Sequence, residues 1–291
     1  MHVRDGGNSD FLKLSFSRRG LTDAILKPKV HEMDSQPGMV FRKTHLHTGR
    51  KISVTPENSA TRHLSYGRII LGDGVKAARF STAGAETGLI VLSGTADVIV
   101  DGGNTALGQY DGLYIPRGSA VEVRTDGGVD IAEFSAETQD VHALQVVRFA
   151  DVSQDPALSL APGGPTQHRQ VFIVLGKNIQ ASRLLAGITV SDPGNWTSWP
   201  PHEHAVMLEE MYVYFDMPAP AYGIQLVYTN TEYPELATVV RDGDAVLMPA
   251  GYHPNVSVPG HRIKFLWALA AHRERDDRQY GVVNVQPEFR S

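Results

Sequence analysis

The chain has 291 residues, 42% of them hydrophobic and 20% charged, with a formal charge of −5. That length suits about two domains or one large all-β unit, and the mild negative charge argues against nucleic acid as a partner. With no cysteine, disulfides, thiolate metal sites and cysteine nucleophiles are excluded together. No apolar run reaches the length of a membrane span, and Met1 to Gly20 has no apolar signal core, so a cytoplasmic protein is expected.

Residues up to about Thr55 read as a poorly periodic lead-in, with His45-Leu46-His47 in a surface loop. From Arg62 onward the texture is short β-rich runs between turn residues, as in a sandwich or barrel. Arg68–Leu71, Gly88–Gly94, Ala96–Val100, Gly112–Gly118 and Val121–Val123 form a first series. A second runs through Gln170–Leu175, Arg183–Val190, Gly223–Tyr228, Ala245–Met248 and Lys264–Leu269. Few stretches hold a helical period over three turns, so the fold is expected to be all-β. Asp111-Gly112…Pro116-Arg117-Gly118-Ser119-Ala120 echoes Asp242-Gly243…Pro249-Ala250-Gly251-Tyr252-His253, which marks an internal repeat. The linker is expected at Pro156 to Pro165, dividing the chain into residues 1–160 and 161–291.

The chemistry gathers in the second series. His202 and His204, at i and i+2 of an extended segment, point to one side because strand side chains alternate. Glu209 and Glu210 follow, and His253 sits in a Gly-Tyr-His-Pro turn. A lone histidine among 12 is more often a solvated or packed residue than a ligand. Three imidazoles with a carboxylate, however, form a nitrogen–oxygen set suited to zinc, nickel, iron or manganese. In the first series Ala120 stands in the place of His253, and no His-x-His precedes Glu86-Thr87. A metal is therefore expected in the C-terminal half only.

The sequence Gly-x5-Pro-x-Gly followed by His, after a His-x-His…Glu strand, resembles the cupin barrel, and its repetition implies a bicupin. Over most of the chain the likeness narrows. Gly194–His204, Leu208–Tyr214, Gln225–Thr229 and Gly243–Pro254 resemble the 5-deoxy-glucuronate isomerase family of myo-inositol catabolism. Glu210–Met217 is similar to the 5-keto-4-deoxyuronate isomerases of pectin breakdown. The resemblance implies an aldose–ketose isomerase of a deoxy-uronate sugar acid and one divalent ion, zinc or manganese, on His202, His204, Glu210 and His253. Generic cupin spacing selects Glu209 as the ligand, whereas the family's Glu-x-Tyr-x-Tyr pattern selects Glu210. Departures at Ile188, Ala205 and Leu226, and in the ending Val282 to Ser291, leave room for another sugar acid.

An isomerase of this kind needs a base near the metal, and Glu209, Tyr228 and Lys264 are the catalytic candidates, with Tyr212 beside them. Substrate contacts are expected from Arg183, as a bidentate partner for a carboxylate, and from Tyr212 and Gln225. The protein is expected to form a homodimer or higher homo-oligomer. Two other functions fit the same cage: an iron-dependent dioxygenase, and a non-catalytic sugar-binding protein, since fold alone does not fix function.

Overall fold

A computed structural model describes residues 38–290; the lead-in before Gly38, including the Met1–Gly20 segment, lies outside the described residues. The architecture is nearly all β. The helical elements among the described residues are Phe149–Gln154, Glu274–Asp277 and the 3-10 turn Pro287–Phe289, and no helix is long and apolar enough to cross a membrane. The expected strand runs all appear as strands.

Apart from a two-stranded ribbon of His202–Glu203 and Asn284–Val285, the strands form two pairs of sheets. In the N-terminal half a six-stranded sheet centres on Leu64–Leu71, Val129–Glu137 and Ala85–Gly94, and a four-stranded sheet on Ala120–Arg124 and Ala96–Val100. In the C-terminal half a seven-stranded sheet centres on Leu208–Tyr214, Lys264–Ala271 and Leu184–Ser191, facing a four-stranded sheet built on Asn255–Ser257 and Gly223–Val227.

Two expectations need correction. Part of the lead-in is ordered sheet: Gly49–Val54 pairs with Leu64–Leu71, while Val40–Phe41 crosses to the C-terminal half and pairs with Ala245–Met248. The expected linker also contributes Ser159–Leu160, which pairs with Arg169–Leu175. Leu158 and Leu160 pack against the apolar core there, and that burial outweighs the nearby turn-forming prolines and glycines.

Strand parity decides what each side chain meets. On Leu208–Tyr214, Met211 and Val213 face a core shared between the halves, where they meet Tyr66, Ile90 and Phe134. The alternate residues Leu208, Tyr212 and Tyr214 face the interior of the C-terminal half, with Phe265, Trp267 and Leu269. Phe134 and Met211 have no exposed surface; burial of such side chains stabilises the fold by about 2 kcal/mol each. Glu209 and Glu210, adjacent on this strand, therefore point to opposite faces.

Each half also clamps the other through a buried carboxylate. Glu209 accepts the backbone N–H groups of Arg62, His63 and Leu64 at 2.7–2.8 Å, where the strand Leu64–Leu71 begins. Glu86 accepts those of Ser182, Arg183 and Leu184 at 2.6–2.9 Å, where Leu184–Ser191 begins. Each carboxylate satisfies donors that would otherwise be buried without partners at the start of the other half's strand.

Candidate metal centre and its cavity

Glu210 points inward from Leu208–Tyr214, opposite Met248 on one neighbouring strand and Leu269 on the other. His204 follows the short extended segment His202–Glu203, at the start of the turn that leads into the same strand. His253 follows Gly251, whose φ of +92° and close approach to the backbone of Tyr228 call for glycine. These three are buried, and their ligand atoms lie within 4.8 Å of one another. Nε2 of both His204 and His253 is 2.9 Å from the same oxygen, Glu210 Oε2. The ring of His202 is also near, its centroid 4.9 Å from that of His253, against 5.2 Å between His204 and His253, but its nitrogens are not within 4.8 Å of all three ligand groups.

The ring tautomers are set by the backbone. Nδ1–H of His202 donates to Pro200 O at 2.9 Å, that of His204 to Leu208 O at 3.1 Å, and that of His253 to Gly251 O at 2.9 Å. In a neutral imidazole whose Nδ1 carries the proton, Nε2 presents a bare lone pair. His253 Nε2 is buried and makes no hydrogen bond, despite its nearness to Glu210. A lone pair aimed at a carboxylate oxygen is repulsive unless a cation lies between them. Locked Nδ1–H groups of this kind are the usual support of metal-binding histidines, so the residues fit a divalent ion.

Without an ion the cluster is held by charge instead, with His204 Nε2–H donating to Glu210 Oε2 at 2.9 Å. Burial alone would push the Glu210 carboxyl up, but the imidazoles of His204 and His253 outweigh it and hold it well below the usual carboxylate range. Burial would lower His204, yet the Glu210 carboxylate raises it. Burial against the cavity wall, with His253 beside it, pushes His202 down to about 4, so its ring is neutral at pH 7.

The cluster opens on a cavity of about 290 Å³. Its apolar wall includes Val171, Leu208, Trp267 and Leu269, and its polar groups include Arg169, Ser198 and Tyr212. Trp267 lies flat because Gly187 opposite has no side chain; a Cβ there would meet the indole at 2.2 Å. The chain's last turns close one side. Asn284–Val285 pairs with His202–Glu203, and Tyr280 stacks on Trp267 with centroids 5.2 Å apart. Tyr212 Oη and Ser198 Oγ are hydrogen-bonded at 2.6 Å. Burial, reinforced by Glu210, raises the Tyr212 phenol well above its usual value.

Several expected site residues are not in this cavity. Glu209 is turned to the opposite face and bound to three backbone N–H groups, which leaves it no access to a substrate. Lys264 shares the parity of Leu266 and Ala268 and faces away from the cavity, where it pairs with Asp216 and donates to Tyr110 Oη of the N-terminal half at 3.1 Å. Tyr228 donates to Gln286 at 2.8 Å, outside the lining. Gln225 is fully buried behind His253; it donates to the His253 carbonyl at 2.9 Å and accepts from Tyr214 Oη at 2.6 Å, so it supports the turn rather than a ligand. Arg183 lies at the seam between the halves and donates to the carbonyls of Glu137, Ala271 and His272 at 2.6–2.8 Å. Tyr212 alone of the expected base and substrate residues lines the cavity. Arg169, Ser198 and Tyr280 were not expected: they reach it from a strand start, a loop and the chain's end.

The sequence profile of the KduI/IolB family matches residues 40–285. A 5-deoxy-glucuronate isomerase of Geobacillus kaustophilus is 26% identical over 244 residues, covering 76% of this chain and 84% of that protein. A 4-deoxy-L-threo-5-hexosulose-uronate ketol-isomerase of Caldicellulosiruptor bescii is 26% identical over 224 residues, covering 75% and 78%. Among solved structures, an IolB-like protein from Salmonella typhimurium LT2 superposes with a TM-score of 0.75 at 19% identity, over 87% of this chain and 98% of that one. A variant of Bacillus subtilis oxalate decarboxylase, of the cupin fold, superposes at 0.58 and 11% identity, over 80% and 77%.

Proposed function

The chain belongs to the KduI/IolB family, and from that premise we propose that it is a metal-dependent aldose–ketose isomerase of a deoxy-uronate sugar acid. The named relatives support the reaction and the substrate class. The observation that carries the metal dependence is the set of locked tautomers, which leaves the Nε2 lone pair of His253 facing Glu210 with no hydrogen to share. His204, Glu210 and His253 would hold the ion with His202 beside them, and its identity is zinc or manganese. The same reading makes the molecule a bicupin, divided near residue 160, with the ion only in the C-terminal barrel.

A bound dication would supply electrostatic stabilisation of the negative charge that develops on adjacent substrate oxygens as a proton leaves carbon. The chain's own residues do the rest. Tyr212 keeps its proton on Oη at neutral pH and, linked to Ser198, gives it to the substrate oxygen that becomes a hydroxyl while taking one back from the neighbouring hydroxyl that becomes the carbonyl, as the proton that leaves one carbon is returned to the adjacent carbon. Tyr280 and Val283 cover the cavity and keep bulk water from the reacting carbons. Trp267 and Leu269 give the sugar's carbon face an apolar floor.

Metal analysis of the purified protein, then assays of 5-deoxy-glucuronate and 4-deoxy-5-keto-uronate before and after chelation, tests the proposal. Metal-dependent interconversion of either sugar acid is expected. A metal-loaded protein that converts neither would defeat it, and redox-active iron with oxygen consumption would favour the dioxygenase reading.

A further inference from the structure

A sugar acid brings a carboxylate as well as the carbonyl end at which isomerisation occurs, and Arg183 is already bound to carbonyls at the seam. Arg169 is placed differently. It opens the strand Arg169–Leu175 and lines the cavity. Its Nη1 donates to Gln167 O at 3.0 Å and its Nη2 to Trp199 O at 2.8 Å. A guanidinium has five N–H donors, so these bonds fix its plane and leave donors uncommitted. Among the described residues no carboxylate forms an ion pair with Arg169; the titratable groups beside it are the phenols of Tyr212 and Tyr280, which burial keeps protonated and neutral at pH 7. A half-buried cation without an anionic partner is costly to keep.

The same short loop aims this arginine and a histidine. Trp199 O accepts from Arg169, and the next carbonyl, Pro200 O, accepts from His202 Nδ1–H. The spacing between the guanidinium and the imidazole cluster is thus held by consecutive backbone groups. We propose that Arg169 is the carboxylate anchor of this cavity, binding the acid end of a sugar acid through its planar fork while the carbonyl end lies toward His204, Glu210 and His253. This assignment rests on the sugar-acid reading above and makes Arg169 the residue that separates sugar acids from neutral sugars.

The test uses the metal-loaded full chain and two probes, gluconate and its neutral counterpart sorbitol, with binding measured by calorimetry. The wild type is expected to bind gluconate at least about 10-fold more tightly than sorbitol, as a hydrogen-bonded charge implies. Arg169→Gln should weaken gluconate by about 10- to 100-fold without changing sorbitol binding or metal content. Arg169→Lys should recover part of the loss, because it restores the charge without the fork. Equal affinity of the wild type for the two probes, or no detectable binding of either, overturns the assignment without any variant. If Arg169→Gln does not fold, Arg169→Lys decides: a gluconate preference within about twofold of wild type overturns it. An absence of sugar-acid turnover with the gluconate preference intact would count against the isomerase reading alone.

Discussion

The two halves of the chain share a strand plan but fill their interiors differently. In the N-terminal half Ile69, Leu89, Val91, Val98, Leu113, Val123 and Ile131 close the space between the sheets with aliphatic side chains. In the C-terminal half the corresponding space holds His204, Glu210, Gln225, His253 and Asn255, all buried. The contrast is sharpest on one pair of strands. Glu86-Thr87 and Glu209-Glu210 occupy equivalent places, and the first member of each pair performs the same task, capping the opposite half. The second members diverge: Thr87 begins a parity that continues into Leu89 and Val91, whereas Glu210 lies under two imidazoles. Ala120, in the place of His253, is exposed at a strand end. Both halves thus place a structural carboxylate at this point, and among the described residues the cluster that could hold a metal is His204, Glu210 and His253.

The largest effect that would break this contrast comes from Glu210. Glu210→Gln removes the negative charge at the centre of the cluster and should lower metal affinity by more than about 100-fold, since even supporting residues of metal sites cost 10- to 100-fold. Metal content after dialysis, with circular dichroism to show the barrel still folded, checks this. Retention of stoichiometric metal by Glu210→Gln would mean that the cage lies elsewhere.

Next come the capping carboxylates, which should behave as a matched pair. Glu86→Gln and Glu209→Gln each leave strand-start N–H groups poorly satisfied and should each cost about 3 kcal/mol in denaturant unfolding, with metal content kept in both. If Glu209→Gln lost its metal while Glu86→Gln did not, the equivalence drawn between them would fail. Arg183→Met removes donors from three carbonyls at the seam and should cost about 2 kcal/mol, with sugar-acid affinity unchanged. A selective loss of that affinity would restore Arg183 as a substrate contact. The smallest effect is expected at Lys264, half-buried beside the exposed Asp216. Lys264→Met should change stability by about 1 kcal/mol or less and leave kcat within about twofold; a tenfold fall in kcat would return it to the chemistry.

Much of this was legible in the sequence where periodicity carries the information. Alternation put His202 and His204 on one side, but it fitted either acid, and the choice of Glu210 over Glu209 came from the likeness to the family's Glu-x-Tyr-x-Tyr pattern. The repeat around Pro116-Arg117-Gly118 and Pro249-Ala250-Gly251 lies on turns that follow the strands Gly112–Ile115 and Ala245–Met248. What was not legible depended on contacts distant along the chain. Arg183 looked suitable because it precedes an inward-facing strand, but its guanidinium meets carbonyls some 46 to 89 positions away. Arg169 gave no signal, since its cavity is completed by Trp199 and Tyr280, neither of which marks a strand pattern. Lys264 was misplaced for want of strand order, which sets one face of its strand against the other half.

The paired carboxylate caps bear on how such a chain arises. A contact in which one unit's glutamate caps the partner's strand, and the partner's glutamate caps the first unit's strand, has the reciprocity of a twofold-symmetric dimer interface. A lone unit of this design would expose an acid and an uncapped strand start, and would meet both needs by pairing with a copy of itself. Joining two copies in one polypeptide makes the handshake permanent and independent of concentration. Two units bound in this way no longer depend on each other's surfaces being alike, so their interiors can differ as these two halves do.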